Sequence, residues 1–87
     1  MTNPPMVQVV WLDTNEVSDS TWQSKEDLIK CEPCIIDSLG YLILENDDFV
    51  IISADKDGKN EDDLFGRSQV IPKGVIKNMD YLSIQKI

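Results

Sequence analysis

The sequence predicts a mainly β protein: a small, strongly bent five-stranded antiparallel barrel with one short helix, formed by a single domain over residues 1–87. Two observations favour this fold class. Short runs rich in Val, Ile and aromatic residues are separated by polar turns, as in small antiparallel β proteins. The longest run contains Gly40, and a glycine inside a strand often marks the sharp bend by which a small barrel turns its corner.

The best-defined element is a β-hairpin over residues 39–53. Two apolar runs, Leu39–Leu44 and Phe49–Ser53, flank the polar turn formers Glu45–Asp48. β-branched and aromatic residues fit the half-buried surface of a sheet, while Asn and Asp bond to their own backbone in turns. We expect five hairpin residues to be prominent in the core: Leu39, Tyr41, Ile43, Val50 and Ile52.

The N-terminal part is expected to consist of a loose segment and a central strand. Residues 1–5 include two prolines, which stop early strand pairing. Met6–Leu12 is predicted to be the first strand, and apolar residues occupy both of its alternating phases. A strand that is apolar on both faces is expected at the centre of a sheet or under cover on both sides.

A short helix is predicted over residues 25–31. Ser24 is followed three positions later by the acid Asp27, which matches a capping box, and Pro33 closes the window. A helix of about two turns is not stable alone, so it must dock on the sheet. We expect Trp22 to take part in that docking as a lid over one end of the core.

Four further segments complete the chain. We expect the second strand over 34–44, a long polar loop over 54–67, the fourth strand over 68–74 and the fifth strand over 75–84. Pro72 indicates that the fourth strand ends there or lies at an edge. The fifth strand is apolar in both phases, so self-association through an exposed strand edge, most simply as a homodimer, is expected.

The charge balance excludes several classes of partner. Sixteen acidic residues face eight basic ones and no histidine, which gives a net charge of −8. Binding to nucleic acid or to an anionic membrane needs clustered basic residues, and Arg67 is the single arginine. No apolar run reaches the ~18 residues of a membrane span, and the N-terminus does not resemble a signal peptide. We therefore expect a cytoplasmic protein whose partner has a basic surface.

Cys31 and Cys34 form a Cys-Glu-Pro-Cys segment. One pair of thiols cannot complete a tetrahedral zinc site without histidine, and this pair does not lie between a strand and a long helix as in thioredoxin-type sites. We interpret both residues as packing residues that need no bridge. No metal or other cofactor is predicted.

The predicted loop over 54–67 is the leading candidate for a binding site, because long loops in small domains are usually functional or disordered. It combines five acids with an apolar anchor: Asp55, Asp57, Glu61, Asp62, Asp63, Leu64 and Phe65. The alternative is that the acids serve solubility alone. The start of the loop resembles a calcium loop, but Gly58 comes too early and position 64 is Leu, so no calcium site is predicted.

Short motifs resemble those of known small barrels. Val70–Leu82 resembles the last two strands of Sm-like and Src-homology-type barrels, which often end in Ile-Pro-x-x-x-Ile-x-x-Met/Ile-x-x-Leu. The chain also resembles a group of short phage and bacterial proteins through four motifs: Val10–Asp13, Gly40–Leu42, Asp47–Val50 and Ile71–Gly74. The resemblance implies an Sm-like barrel, a fold whose edge strands commonly join subunits into rings.

These observations favour a non-enzymatic binding module. The chain has no histidine, nucleophile elbow or phosphate-binding glycine loop, so no catalytic residue is named. The leading hypothesis is a phage or mobile-element accessory protein that contacts a host protein. The alternative is an oligomeric binder of a nucleotide-type ligand, with a pocket between subunits. Four aromatic residues are candidates for stacking on that ligand, unless they simply fill the core: Trp11, Trp22, Tyr41 and Tyr81.

Overall fold

The computed structural model describes residues 4–14, 22–58 and 64–83. In chain order its elements are β1 (Met6–Asp13), α1 (Lys25–Leu28), β2 (Cys34–Glu45), β3 (Phe49–Lys56), β4 (Phe65–Pro72), one turn of 3-10 helix (Lys73–Val75) and β5 (Ile76–Leu82). All strand pairs are antiparallel and form one sheet in the order β4-β3-β2-β1-β5. The prediction of a mainly β chain with five antiparallel strands and a short helix is confirmed.

The sheet formed by the described residues is open. β4 and β5 are its two edges, and the 3-10 turn joins them along the chain. Gln69 of β4 pairs with the buried Ile52, and Tyr81 of β5 pairs with the buried Val7. Gln69 and Tyr81 are nevertheless exposed. The two edge strands therefore do not cover this part of the core, and the described strands do not complete the closed barrel that the sequence predicts.

β2 is long because it pairs with two neighbours in succession. Its first part pairs with β1 and its last part with β3, so Tyr41 lies opposite both Met6 and Ser53. Gly40 precedes this change of partner and is buried, and a Cβ placed on it would lie 2.8 Å from the carbonyl oxygen of Ser53. A residue without a side chain is required where two backbones approach this closely.

The core lies on one face of the sheet and collects side chains from strands that are not neighbours. Its buried hydrophobic residues come from β1, β3 and β4: Val7, Val9, Val50, Ile52 and Ile71. Partly buried residues pack against them: Trp11, Leu42, Val75, Ile76 and Met79. Because β2 separates β1 from β3, these side chains meet only if the sheet curves around them.

The hairpin contributes less of the core than predicted. Val50 and Ile52 are buried as predicted, Tyr41 is half-buried, and the predictions for Leu39 and Ile43 are wrong. Leu39 is 58 % exposed because it pairs with Gln8 and so lies on the face opposite the core. Ile43 is 40 % exposed and lies in a register shift between Leu42 and Leu44, where one additional residue changes the phase of the strand.

The helix is shorter and less buried than predicted. It covers Lys25–Leu28 rather than 25–31, and its predicted cap is present: the N–H of Asp27 donates to Ser24 Oγ at 3.1 Å. None of its residues is buried. Trp22 is 89 % exposed, so the prediction that it covers the core is wrong. One turn of helix buries too little apolar surface to hold Trp22 against the sheet.

The prediction of a long loop over 54–67 is wrong at both ends. β3 continues to Lys56 and β4 begins at Phe65, so the two strands form a longer hairpin than expected. Asp55 pairs with Gly66 inside this hairpin. Polar residues are acceptable there because β4 is an edge strand that faces solvent.

Other boundaries differ by a few residues. β4 ends at Pro72, where the fixed φ of proline suits the start of the 3-10 turn, and β5 begins at Ile76. The predicted end of β5 at 84 lies outside the described residues. The N-terminal segment predicted to be loose is held at Pro5, whose carbonyl accepts the N–H of Leu42 at 2.8 Å, while residues 1–3 lie outside the description.

Both cysteines are exposed free thiols, so their interpretation as packing residues is wrong. Cys31 follows a helix that buries nothing, and Cys34 begins β2 at the end of the sheet. The Cys31 thiol donates to the carbonyl oxygen of Asp27 at 3.6 Å. Both residues therefore lie at the surface of the protein rather than in its core.

Candidate protein-binding surface

Asp55, the first acid of the predicted binding loop, lies in β3 and is neutralised within the chain. Its two carboxylate oxygens accept from Arg67 Nε at 2.7 Å and from an Arg67 terminal nitrogen at 3.1 Å. The hydrogen bond from Arg67 lowers the pKa of Asp55 from its usual value; desolvation opposes this shift, and the charge of Arg67 adds to it. Arg67 makes the pair from a left-handed backbone conformation with φ of 53°.

The rest of the predicted loop site is only partly brought together. Glu61, Asp62 and Asp63 lie outside the described residues. The N–H of Asp57 donates to the carbonyl oxygen of Leu64 at 2.8 Å, which closes the loop, and Leu64 is exposed. Phe65 instead packs edge-to-face on Tyr41, with ring centroids 6.2 Å apart. Phe65 therefore holds β4 to β2 and does not present itself to a partner.

The four aromatic residues proposed to stack on a ligand have different environments. Trp11 packs against the core and its indole N–H donates to Ser38 Oγ at 3.1 Å. Tyr41 is half-buried against Phe65. Trp22 and Tyr81 are exposed. Two of the four are thus engaged in holding the sheet together.

The surface that the sequence did not single out is an apolar row across three strands. Leu44 of β2 pairs with Ile51 of β3, and Ile51 pairs with Val70 of β4. Residues opposite one another on paired strands share a face of the sheet. Val50 and Ile71, their sequence neighbours, face the core, so this row faces outward. Val70 is 63 % exposed and Leu44 is 44 % exposed.

The row continues two residues along the strands. Phe49 pairs with Pro72 on the same face by the alternation of side chains, and Pro72 is exposed. We call the five residues the outer patch: Leu44, Phe49, Ile51, Val70 and Pro72. Leu44, Val70 and Pro72 are exposed, and Phe49 and Ile51 are half-buried. Apolar surface that remains accessible to water on a small protein is typical of a site that meets another molecule.

An acidic turn, between the end of β2 and the start of β3, borders the outer patch. Asp47 and Asp48 lie in this turn and are exposed. The Asn46 side-chain oxygen accepts the N–H groups of Asp48 and Phe49 at 2.9 and 2.8 Å, as predicted for a turn-forming Asn. Within the described part of the chain neither aspartate has an ion-pair partner, so their charges face solvent beside the apolar row.

Neighbouring contacts fix this turn. Lys73 donates its backbone N–H to the carbonyl oxygen of Asp48 at 2.8 Å, and its ammonium lies 2.6 Å from a carboxylate oxygen of Glu45. Lys73, the first residue of the 3-10 turn, therefore holds the acidic turn through both its backbone and its side chain. The sequence signal for this surface was the presence of apolar residues in both phases of β3, which left one apolar face without cover.

Neither a metal-binding group nor a helix suited to crossing a membrane is found among the described residues. They contain no group of three or more His, Cys, Asp or Glu side chains able to hold a metal ion. Among them, no helix combines the length and the apolar character required to cross a bilayer. Comparisons with protein-family models, with curated proteins and with solved structures find no match to this chain.

Proposed function

We propose that the chain is a non-enzymatic binding module that docks on the basic surface of another protein. The outer patch and the acidic turn are the docking surface. The observation that carries the proposal is the apolar row of Leu44, Ile51 and Val70 beside the carboxylates of Asp47 and Asp48. An apolar centre with a polar rim is the usual composition of a protein-binding surface.

The two parts of this surface have different physical roles. Removing the apolar row from water favours association by about 25 cal/mol per Å² of buried surface. The carboxylates at the rim attract a basic partner, which raises the association rate and makes it sensitive to salt. The hydrogen bonds of Asn46 and the ion pair of Glu45 with Lys73 hold the turn in place, so little order has to be gained on binding.

The net charge supports a protein rather than a nucleic acid as the partner. With a net charge of −8, the chain repels a phosphate backbone. A protein surface rich in Lys and Arg, in contrast, has the charge that complements this chain. The module is proposed to act in the cytoplasm as an accessory protein of a phage or mobile element. The motifs resembling such proteins support this origin.

The curved sheet is proposed to be an Sm-like small barrel. The strand order with β4 and β5 at the edges, the short 3-10 turn between them and the core on the concave face support this assignment. The alternative function, an oligomeric nucleotide-type binder, has less support because Trp11 and Tyr41 are engaged in contacts within the chain. A second copy of the chain is the other occupant to be tested for the outer patch.

The docking proposal is tested by comparing three immobilised baits in a bacterial lysate. The baits are the wild type, Val70→Glu and Ile29→Glu. Val70 and Ile29 are both well exposed, at 63 % and 72 %, so both variants are expected to fold, which circular dichroism checks. We expect the wild type and Ile29→Glu to capture a basic protein that Val70→Glu does not capture. Mass spectrometry quantifies the captured proteins.

The purified partner then allows a kinetic test of the acidic turn. Neutralising Asp47→Asn together with Asp48→Asn should slow association at low salt and flatten its salt dependence. Identical capture by all three baits would contradict the proposed surface. A wild-type dimer in light scattering that Val70→Glu converts to monomer would identify the occupant as a second copy and overturn the proposal of a different protein.

A further inference from the structure

A separate cavity of about 450 Å³ opens at the end of β1. Three segments form its walls: Leu12–Thr14 at the end of β1, Cys31–Pro33 before β2, and Gly74–Val75 in the 3-10 turn. Ligand pockets in proteins usually span about 300–1,000 Å³, so the cavity has room for a small molecule. None of its lining residues belongs to the outer patch.

The walls combine apolar surface with charge of one sign. Leu12, Pro33 and Val75 provide aliphatic surface, whereas Asp13 and Glu32 provide carboxylates. None of the described residues that line the cavity is basic. Asp13 is half-buried and Glu32 is exposed, so the site is open to solvent. Two carboxylates at one site still add their attraction for a cation, and salt weakens this attraction.

Two of the walls are fixed by the fold. Val75 packs against the core, and Leu12 and Asp13 are held in strand pairing with β2. The third wall follows α1, where the N–H of Cys31 donates to the carbonyl oxygen of Leu28 at 3.1 Å. The walls formed by β1 and the 3-10 turn are therefore in place before a ligand binds, which lowers the cost of binding.

We infer that this cavity binds a small organic cation, namely an ammonium group carried on an apolar chain. The apolar part fits against Leu12, Pro33 and Val75, and the ammonium is drawn to Asp13 and Glu32. An anion of the same shape meets the two carboxylates and is repelled. The site is independent of the proposed docking surface, because no residue is common to both.

The two cysteines make the inference testable without a known ligand. Cys31 lines the cavity and Cys34 does not, and both are exposed free thiols. The variant Cys34→Ser leaves Cys31 as the single thiol, and Cys31→Ser leaves Cys34 as the matched control. The rate of alkylation by iodoacetamide is measured in each variant while n-hexylammonium or hexanoate is titrated.

The inference predicts that n-hexylammonium protects Cys31 and not Cys34. At about ten times its Kd the cation should slow alkylation of Cys31 about tenfold, because only the unoccupied fraction reacts. Hexanoate should need a concentration about fivefold higher or more, the scale of an exposed charge interaction. Asp13→Asn with Glu32→Gln should remove that preference for the cation.

Three results would overturn the inference. Equal slowing at Cys31 and Cys34 would show an effect on thiol reactivity in general rather than occupation of the cavity. No slowing at Cys31 over the soluble range would show that the cavity takes no such ligand. Equal protection by hexanoate and n-hexylammonium would show an apolar pocket without selection for charge.

Discussion

Replacing Gly40 with Ala tests why β2 is able to leave β1 and join β3. The added Cβ would lie 2.8 Å from the oxygen, 3.1 Å from the carbon and 3.3 Å from the nitrogen of the Ser53 backbone. Such contacts are too short for a methyl group, and the atoms it meets are backbone rather than the end of a flexible side chain. The structure must therefore shift at the corner of the sheet.

The size of the effect follows from how firmly Ser53 is held. Its side chain donates to the carbonyl oxygen of Gly66 at 2.7 Å and accepts from Ser68 Oγ at 3.0 Å, so β3 cannot move without straining β4. Overpacking a well-filled site costs about 1–3 kcal/mol. We expect about 2–3 kcal/mol here, because the opposing atoms are fixed. For a domain of this size that corresponds to a fall in Tm of about 10–20 °C.

Urea denaturation followed by circular dichroism measures this loss, with Gly66→Ala as the matched control. A Cβ on Gly66 meets its nearest atom, the Cβ of Asp55, at 3.8 Å, an ordinary contact. We expect Gly66→Ala to leave the free energy of unfolding unchanged or to raise it by up to about 1 kcal/mol, because alanine restricts the unfolded chain. If Gly40→Ala costs no more than Gly66→Ala, the close approach of the two backbones does not constrain β2.

Three further predictions concern stability and charge. Ile52→Ala should lower the free energy of unfolding by about 2–5 kcal/mol because Ile52 is buried. Ile43→Ala should lower it by about 1 kcal/mol or less because Ile43 is exposed. Equal losses in urea denaturation would show that the strand phase is misassigned. Arg67→Gly should be about 1 kcal/mol more stable than Arg67→Ala, since glycine accepts the φ of 53° without strain, and no difference in Tm would remove that argument. The lowered pKa of Asp55 means that its ion pair favours the folded state above pH 3.8, the ordinary pKa, and stops doing so as pH falls through the lower pKa of the folded state. In Arg67→Gly, an NMR titration of the carboxyl group should show that the pKa of Asp55 rises. An unchanged pKa would refute the role of Arg67.

Much of the sheet could be predicted from local residue patterns. The hairpin turn followed from Asn46 and its acidic neighbours, and the special role of Gly40 followed from a glycine within a long apolar run. The helix cap at Ser24 could also be predicted from the sequence, because a cap depends on residues three positions apart. These features are local, so neighbouring residues determine them.

Features that depend on tertiary pairing could not be predicted in the same way. The register shift after Leu42 reverses which residues of β2 face the core, and nothing in the residue types at 42–44 marks it. Asp55 was assigned to a loop because acids are rare in strands, but its pairing with Arg67 compensates for that preference.

The outer patch was missed for a related reason. Ile51 and Val70 are as apolar as the core residues beside them, and only the strand phase separates the two faces. The cavity at the end of β1 was missed because its walls come from three distant parts of the chain. Both sites depend on which strands become neighbours.

The most direct test of the proposed docking surface is site-specific photo-crosslinking in bacterial cells. A photoreactive benzoylphenylalanine is placed at position 70 in the outer patch or, as a control, at position 29 outside it; both native side chains are well exposed. The proposal predicts that position 70 forms a covalent adduct with a basic protein and that position 29 does not. Adducts with the same proteins from both positions, or none from position 70, would contradict it.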